Sequence, residues 1–134
     1  MSLYDLAMRA HEGDAEALEA LKNGAVRADG RRTIIACDFD NTLCESEWPT
    51  IIRPNEPLIW AVKTMREMGY EFILWSCREL DSLDEALEWC AGYGVYFDAV
   101  NDNAQSIKDL FDYNSRKINA DEYWDDKAYH TPVK

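Results

Sequence analysis

The sequence predicts an α/β protein: three layers, α/β/α, around a short and mostly parallel sheet, preceded by a helical hairpin. Three observations carry this. Short apolar runs rich in β-branched or aromatic residues alternate with amphipathic stretches of helical length. The first of these runs, TIIACDF at 33–39, is apolar almost throughout, as suits a strand covered on both faces. The runs also end in polar residues, at the strand ends where ligands of such sheets bind.

Residues 3–24 read as two helices. Leu3, Leu6, Ala7 and Ala10 share one helical face, EGD interrupts, and Asp14 can cap a second helix carrying Ala15, Leu18 and Leu21. RADGRR at 27–32 is a polar linker. After the first strand, NTLCESEWPTIIRPNE reads as a loop. Pro57 then opens a helix whose apolar face is Leu58, Ala61, Val62, Met65 and Met68, with Gly69 as its stop. YEFILWSC is a second strand. SLDE, with Ser82 and Glu85 at capping-box spacing, starts a helix with Leu83, Ala86, Leu87 and Cys90 inside. VYFDAV at 95–100 is a third strand. A short helix around Ile107, Leu110 and Phe111 follows, and a weaker fourth strand lies at about 120–124. Trp75 and Trp89 read as core residues.

The 134 residues fit one domain. Five Trp and seven Tyr with 47% hydrophobic residues argue against disorder. A net charge of −12 disfavours nucleic acid and anionic membrane as partners, since the summed field repels phosphates. The apolar runs are too short to span a bilayer, and MSLYDLAMRAHEGD lacks the apolar centre of a signal peptide. Cys37, Cys44, Cys77 and Cys90 form no CxxC or zinc-type spacing; Cys37 and Cys77 read as buried thiols, and the whole points to a reducing cytoplasm. His11 and His130 have no partner at metal spacing and read as surface residues.

Chemistry concentrates at the predicted strand ends. Strand one ends in Asp38-Phe39-Asp40, strand two in Ser76-Cys77-Arg78, and strand four in Asp125-Asp126, with Lys117 just before it. Neighbouring carboxylates repel unless a cation or shared proton relieves them. A hard divalent ion such as Mg²⁺ suits these oxygen donors and tolerates a substrate phosphate as a further ligand. One Asp could then attack phosphorus while a second handles the proton, with Ser76 and Lys117 on the phosphoryl oxygens.

This set resembles the haloacid dehalogenase-like (HAD) phosphohydrolases. DFDNT matches their first motif, DxDxT; Ser76 after FILW matches the second; Lys117 the third; and the acidic pair of YWDD the fourth. The likeness covers roughly residues 33 to 130, and ILWSCRE with LDEALEWC looks like a small, capless bacterial and phage branch. It implies a Rossmann-like catalytic core at 33–134 after an N-terminal extension and linker at 1–32. It implies that Asp38 is the nucleophile and a metal ligand, and that Asp40 is the general acid/base, its carbonyl also on the metal. Ser76 and Lys117 are the implied phosphate contacts; Asn41 and Arg78 beside them are further candidates for contact with the substrate phosphate. Asp125 is the implied third ligand of Mg²⁺ and Asp126 a further one, through water. An acid at Asp40 implies phosphoester hydrolysis rather than phosphonate or dehalogenase chemistry.

Some positions depart from the pattern. Asn41 stands where glycine is commoner and changes the turn. Glu122 replaces an apolar residue, as an edge strand allows. Asp121 offers a different spacing of the fourth motif, but falls at the wrong end of its strand. Lys108 is a rival for the role of Lys117, a salt bridge competes with substrate for Arg78, and Asn101, Asp102 and Asn103 read as turn formers. Neither inter-motif gap holds a cap domain, which in the family goes with large substrates or closure by a partner. Within the loop, 44–54 is a candidate flap in which Trp48 and Ile51 shield the site. The leading expectation is therefore a Mg²⁺-dependent phosphatase for a small phosphorylated substrate. The alternatives are a binding or regulatory protein with little catalysis, and a phosphatase for nucleotide or nucleic-acid ends. The N-terminal helices leave a homodimer or a protein partner open.

Overall fold

The computed structural model describes residues 1–127, so His130 lies outside the described residues. The chain is mixed α/β, with five helices among the described residues and a four-stranded, all-parallel sheet. Helices α1 (Leu3–His11) and α2 (Ala15–Gly24) form the expected hairpin. Ser2 and Asp14 cap them, each carboxyl or hydroxyl oxygen accepting from backbone N–H groups of the first turn. Strand β1 (Ile34–Cys37) is buried at every residue.

The stretch expected as a loop is instead an antiparallel β-hairpin, β2 (Cys44–Glu47) and β3 (Thr50–Pro54), turning at the cis Trp48–Pro49 bond. CESE buries every second residue, a period-2 pattern too short and too polar to stand out in the sequence. Helix α3 (Glu56–Met68) ends at Gly69, whose φ of 110° supplies the left-handed stop. Strand β4 (Glu71–Leu74) leads to α4 (Leu80–Gly92). That helix starts earlier than SLDE suggests: Glu79 is its N-cap, and the Ser82 hydroxyl accepts from the Glu79 N–H (3.3 Å) while donating to the Glu79 carbonyl (2.8 Å).

Strand β5 is only Ala99–Val100, not the whole of 95–100. The Asp98 carboxylate takes the ladder position before it, accepting from the Phe72 N–H (2.8 Å) and from Arg66 (2.9 Å). Helix α5 (Gln105–Phe111) buries Ile107 but leaves Leu110 and Phe111 exposed, narrowing the expected inner face to one residue. Strand β6 (Glu122–Trp124) closes the order β5-β4-β1-β6 and lies at the edge, as Glu122 suggested.

Alternation along β1 divides the core. Ile35 and Cys37 join Phe72, Leu74 and the buried sides of α1 to α4 in the larger cluster. Ile34 and Ala36 join Ile73, Ala104, Ile107 and Ile118 beneath α5. The N-terminal hairpin shares the larger cluster through Ala7, Ala10, Ala17 and Leu21. It is also bolted to the sheet edge: the Glu122 carboxylate accepts from the Leu3 N–H (2.7 Å) and Tyr4 N–H (3.3 Å), an acid at a helix N-terminus. Trp75 and Cys77 are exposed rather than core, because both lie past the end of β4 where no helix covers them. Trp89 is partly buried, edge-on to Phe39 at 5.6 Å. Among the described residues no helix is long and apolar enough to cross a membrane.

Candidate active site

The sheet steps outward from β1 to β4 on one side and to β6 on the other, so β1 is where the strand order reverses. Cys37 pairs with Trp124 in β6, and the ladder runs one bond further, from the Asp38 N–H to the Trp124 carbonyl (2.8 Å). This register sets Asp38 beside Asp125. Carboxylate oxygens of Asp38, Asp125 and Asp126 all lie within 4.8 Å of one another. Thr42 donates to Asp38 Oδ2 at 3.4 Å.

The crowding has an electrostatic cost. The Asp38 carboxyl is pushed up to about 6, first by burial and then by the charges of Asp125, Asp126 and Asp40, against a backbone hydrogen bond from Phe39. Burial, a hydrogen bond with Asp125 and that neighbour's charge raise Asp126 as well. A divalent cation would relieve this repulsion. The donors are hard oxygens with no Cys or His among them, which suits Mg²⁺ and not a thiophilic or imidazole-loving ion. The residues present therefore fit the implied metal.

The Asp40 carboxylate does not join the cluster. It faces the β-hairpin, held by Arg78 through Nε (2.9 Å) and Nη2 (2.8 Å) and by the Ser46 hydroxyl (2.9 Å). Burial pushes the Asp40 carboxyl up, but the hydrogen bonds from Arg78 and Ser46 outweigh it and the net shift is downward. Arg78 is fully buried. Its guanidinium lies between the Phe39 ring (5.1 Å) and the Trp48 ring (4.9 Å), and also donates to the carbonyls of Pro49 and Ser82. Arg78 thus does not present itself to a substrate phosphate: the salt bridge has taken its fork. Trp48 is 61% exposed on top of this latch, at the tip of the hairpin.

The other expected phosphate contacts stand apart. The Ser76 hydroxyl accepts from the Arg78 N–H (3.1 Å), a strand-end turn, and its own N–H donates to Asn101 Oδ1 (2.7 Å). Asn41 sits at φ 58°, and its Oδ1 accepts from the Ser46 N–H (3.0 Å), so it shapes the turn as its residue type suggested. Lys117 is exposed, and its ammonium makes no ion pair with a described residue; the structure does not join it to the acids. Its rival Lys108 is engaged with Asp102 at 2.6 Å. Asp121 caps the opposite end of β1, accepting from the Ile34 N–H (2.8 Å) and Arg27 (2.8 Å).

One residue, Ser46, escaped the reading of the sequence, and Asn103 does more than form a turn. Ser46 reaches Asp40 because of the CESE alternation. Buried Asn103 clamps the loop carrying Lys117, donating to the Ser115 carbonyl (3.0 Å) and accepting from the Asn119 N–H (2.7 Å). Beside Asp125 and Asp126 a groove of about 650 Å³ opens along β6, between the starts of α1 and α3.

The chain matches no protein-family profile and no curated protein. It is similar to a solved structure of a conserved protein from Bacteroides thetaiotaomicron, at 36% identity over 73% of this chain and 78% of that one, with a TM-score of 0.63.

Proposed function

The chain belongs to the family of that conserved Bacteroides thetaiotaomicron protein, and from this premise we propose that it is a cytoplasmic, Mg²⁺-dependent phosphomonoesterase with a HAD-like Rossmann-type core. The observation that carries the reading is the convergence of Asp38, Asp125 and Asp126 at the carboxyl end of β1, where the strand order reverses. The ordered motifs from DFDNT to YWDD support it. Four free cysteines, three of them buried, support a reducing compartment.

Asp38, Asp125 and Asp126, with the Asp40 carbonyl, would hold the cation. When bound, Mg²⁺ supplies the positive charge that lets an anionic nucleophile approach an anionic phosphate. An Asp38 oxygen attacks phosphorus, the bond to the leaving oxygen breaks with its electron pair staying on that oxygen, which takes up a proton from solvent, and an aspartyl-phosphate remains. Thr42 keeps the Asp38 carboxylate oriented. In the second half a water oxygen attacks phosphorus, its proton passes to Asp40, and the Asp38–phosphorus bond breaks to release inorganic phosphate. Asp40, kept ionised by Arg78 and Ser46, suits the base role of this half.

The test is turnover of an aryl phosphate with Mg²⁺ by the wild type and by Asp38→Asn. Loss of about 10³-fold or more in the variant is expected of a nucleophile; equal rates would sink the proposal. A second reading, a metal-binding regulatory protein with little catalysis, is favoured by the latch on Asp40 and by the lack of an ion pair between Lys117 and the acids among the described residues. Mg²⁺ binding without turnover would establish it in place of the first.

A further inference from the structure

The groove beside the acid cluster has a composition that the proposed chemistry does not use. Its volume, about 650 Å³, is that of a small-molecule site. One end is Asp125 and Asp126; the other is the start of α1, with Ser2 and Tyr4. The Glu122 carboxylate, which fixes α1 against β6, also accepts from Trp124 Nε1 at 3.0 Å. Tyr4 in turn rests on Trp124, ring centroids 5.6 Å apart, and remains 38% exposed. On the strand side Tyr123 is 43% exposed, its hydroxyl fixed by the Ile118 carbonyl. The groove therefore carries two immobilised, accessible aromatic rings.

Its polar groups are also prepared. Asn41 spends Oδ1 on the Ser46 N–H, and its Nδ2 has no partner among the described residues. Asn55 spends Nδ2 on the Thr42 carbonyl (2.9 Å), and its Oδ1 has no partner among the described residues. Each amide is held by its used atom, leaving one donor and one acceptor free on residues that line the groove. Fixed aromatic faces with an amide donor and acceptor are what a flat heterocycle requires. The acidic lining, Asp121, Glu122, Asp125 and Asp126, opposes a second phosphate there.

We infer that this groove binds the organic part of the substrate, a flat, uncharged, hydrogen-bonding ring carried by a single phosphomonoester, and that the N-terminal helical hairpin supplies one of its walls. The inference rests on the phosphatase reading for the place of the phosphate, but the groove can be tested without turnover. Adenosine 5′-monophosphate and ribose 5-phosphate share the ribose 5-phosphate unit and differ at C1, which carries the base in one and a hydroxyl in the other. With saturating Mg²⁺, the nucleotide should show a KM lower by about tenfold, a typical worth of one stacked base. Tyr4→Leu, which keeps apolar contact with Trp124 but loses the flat ring, should erase that advantage while leaving KM for ribose 5-phosphate unchanged. Should Tyr4→Leu fail to fold, Ser2→Trp crowds the same wall from the exposed start of α1 and should give the same selective rise. Equal KM values in the wild type, or equal effects on both substrates, would overturn the inference. Calorimetry with adenosine alone separates the two proposals. Adenosine binding that Tyr4→Leu weakens supports the groove even if no phosphate is turned over, and no adenosine binding overturns it even if phosphatase activity is found.

Discussion

The two aspartates of DFD are separated by one residue, Phe39, and live in opposite surroundings. On the β6 side, Asp38 meets two more acids and a burial penalty, and its carboxyl is pushed up to about 6. On the hairpin side, Asp40 meets a buried guanidinium and a hydroxyl, and its carboxyl is pulled down. A strand end whose chain turns sharply at Asn41 can face two elements at once, and each element sets a different charge balance. The β6 side is frustrated without a cation. The hairpin side is neutralised by the protein itself. The proposed nucleophile and the proposed proton carrier are thereby tuned apart by environment rather than by residue type.

The largest expected effect breaks the first half of the comparison. Asp125→Asn should cut turnover of an aryl phosphate by about 10²-fold or more and raise the Mg²⁺ concentration needed for half-maximal rate. An unchanged Mg²⁺ requirement would separate Asp125 from the metal.

Breaking the second half should cost stability. Arg78→Ala leaves Asp40 partly buried and uncompensated and removes the filling between Phe39 and Trp48. Urea unfolding should show a loss of about 2–4 kcal/mol, somewhat below the range for a wholly buried pair because Asp40 keeps some exposure. Arg78→Lys should recover little, since a single ammonium cannot reproduce the bidentate fork or the stacking.

A third test sharpens the contrast through pH. The folded-state pKa of Asp38 lies above its unfolded value, so the folded state holds the proton more tightly. The metal-free protein should therefore lose this contribution to stability as pH rises from about 4 through about 6. Added Mg²⁺ should restore it, and more at pH 7.5 than at pH 5, because ionised carboxylates bind the ion. At a hundredfold excess over its Kd the ion should add about 2.7 kcal/mol. Asp38→Asn should melt higher than the wild type in metal-free buffer at pH 7.5. A pH-independent Tm in the wild type would contradict the account of that side.

The smallest effect belongs to Trp48→Ala. Its ring is largely exposed, so the loss should be about 0.5–1 kcal/mol by thermal melting, the worth of an exposed cation–π contact.

These two sides were not equally legible in the sequence. TIIACDF predicted a strand buried on both faces and ending in acids, and β1 is buried throughout. Glu122, standing where the resembled family usually has an apolar residue, suggested an edge, and β6 is an edge. The β6 side was readable because it follows from strand periodicity and from where parallel strands end. The hairpin side was not. CESE and TIIRP are short and mostly polar, and only the pairing of Cys44 with Pro54 and Glu47 with Thr50 reveals a β-hairpin. Arg78 could equally serve a phosphate or an acid until the hairpin places the Pro49 carbonyl and Trp48 over it. The third strand shrank because the Asp98 carboxylate, rather than a backbone carbonyl, accepts from the Phe72 N–H, although the Asp98 N–H still donates to the Phe72 carbonyl. Contact between Leu3 and Glu122 joins opposite ends of the chain, and no local pattern announces it.

The most direct test of the central claim is the state of Asp38 during turnover. Wild-type protein mixed with an aryl phosphate and Mg²⁺, quenched in acid and digested, should carry one phosphoryl group on the peptide containing Asp38, by mass spectrometry. Asp38→Asn should carry none and release no product. Product release with full activity in Asp38→Asn, or a phosphoryl group on any other residue, would contradict the account.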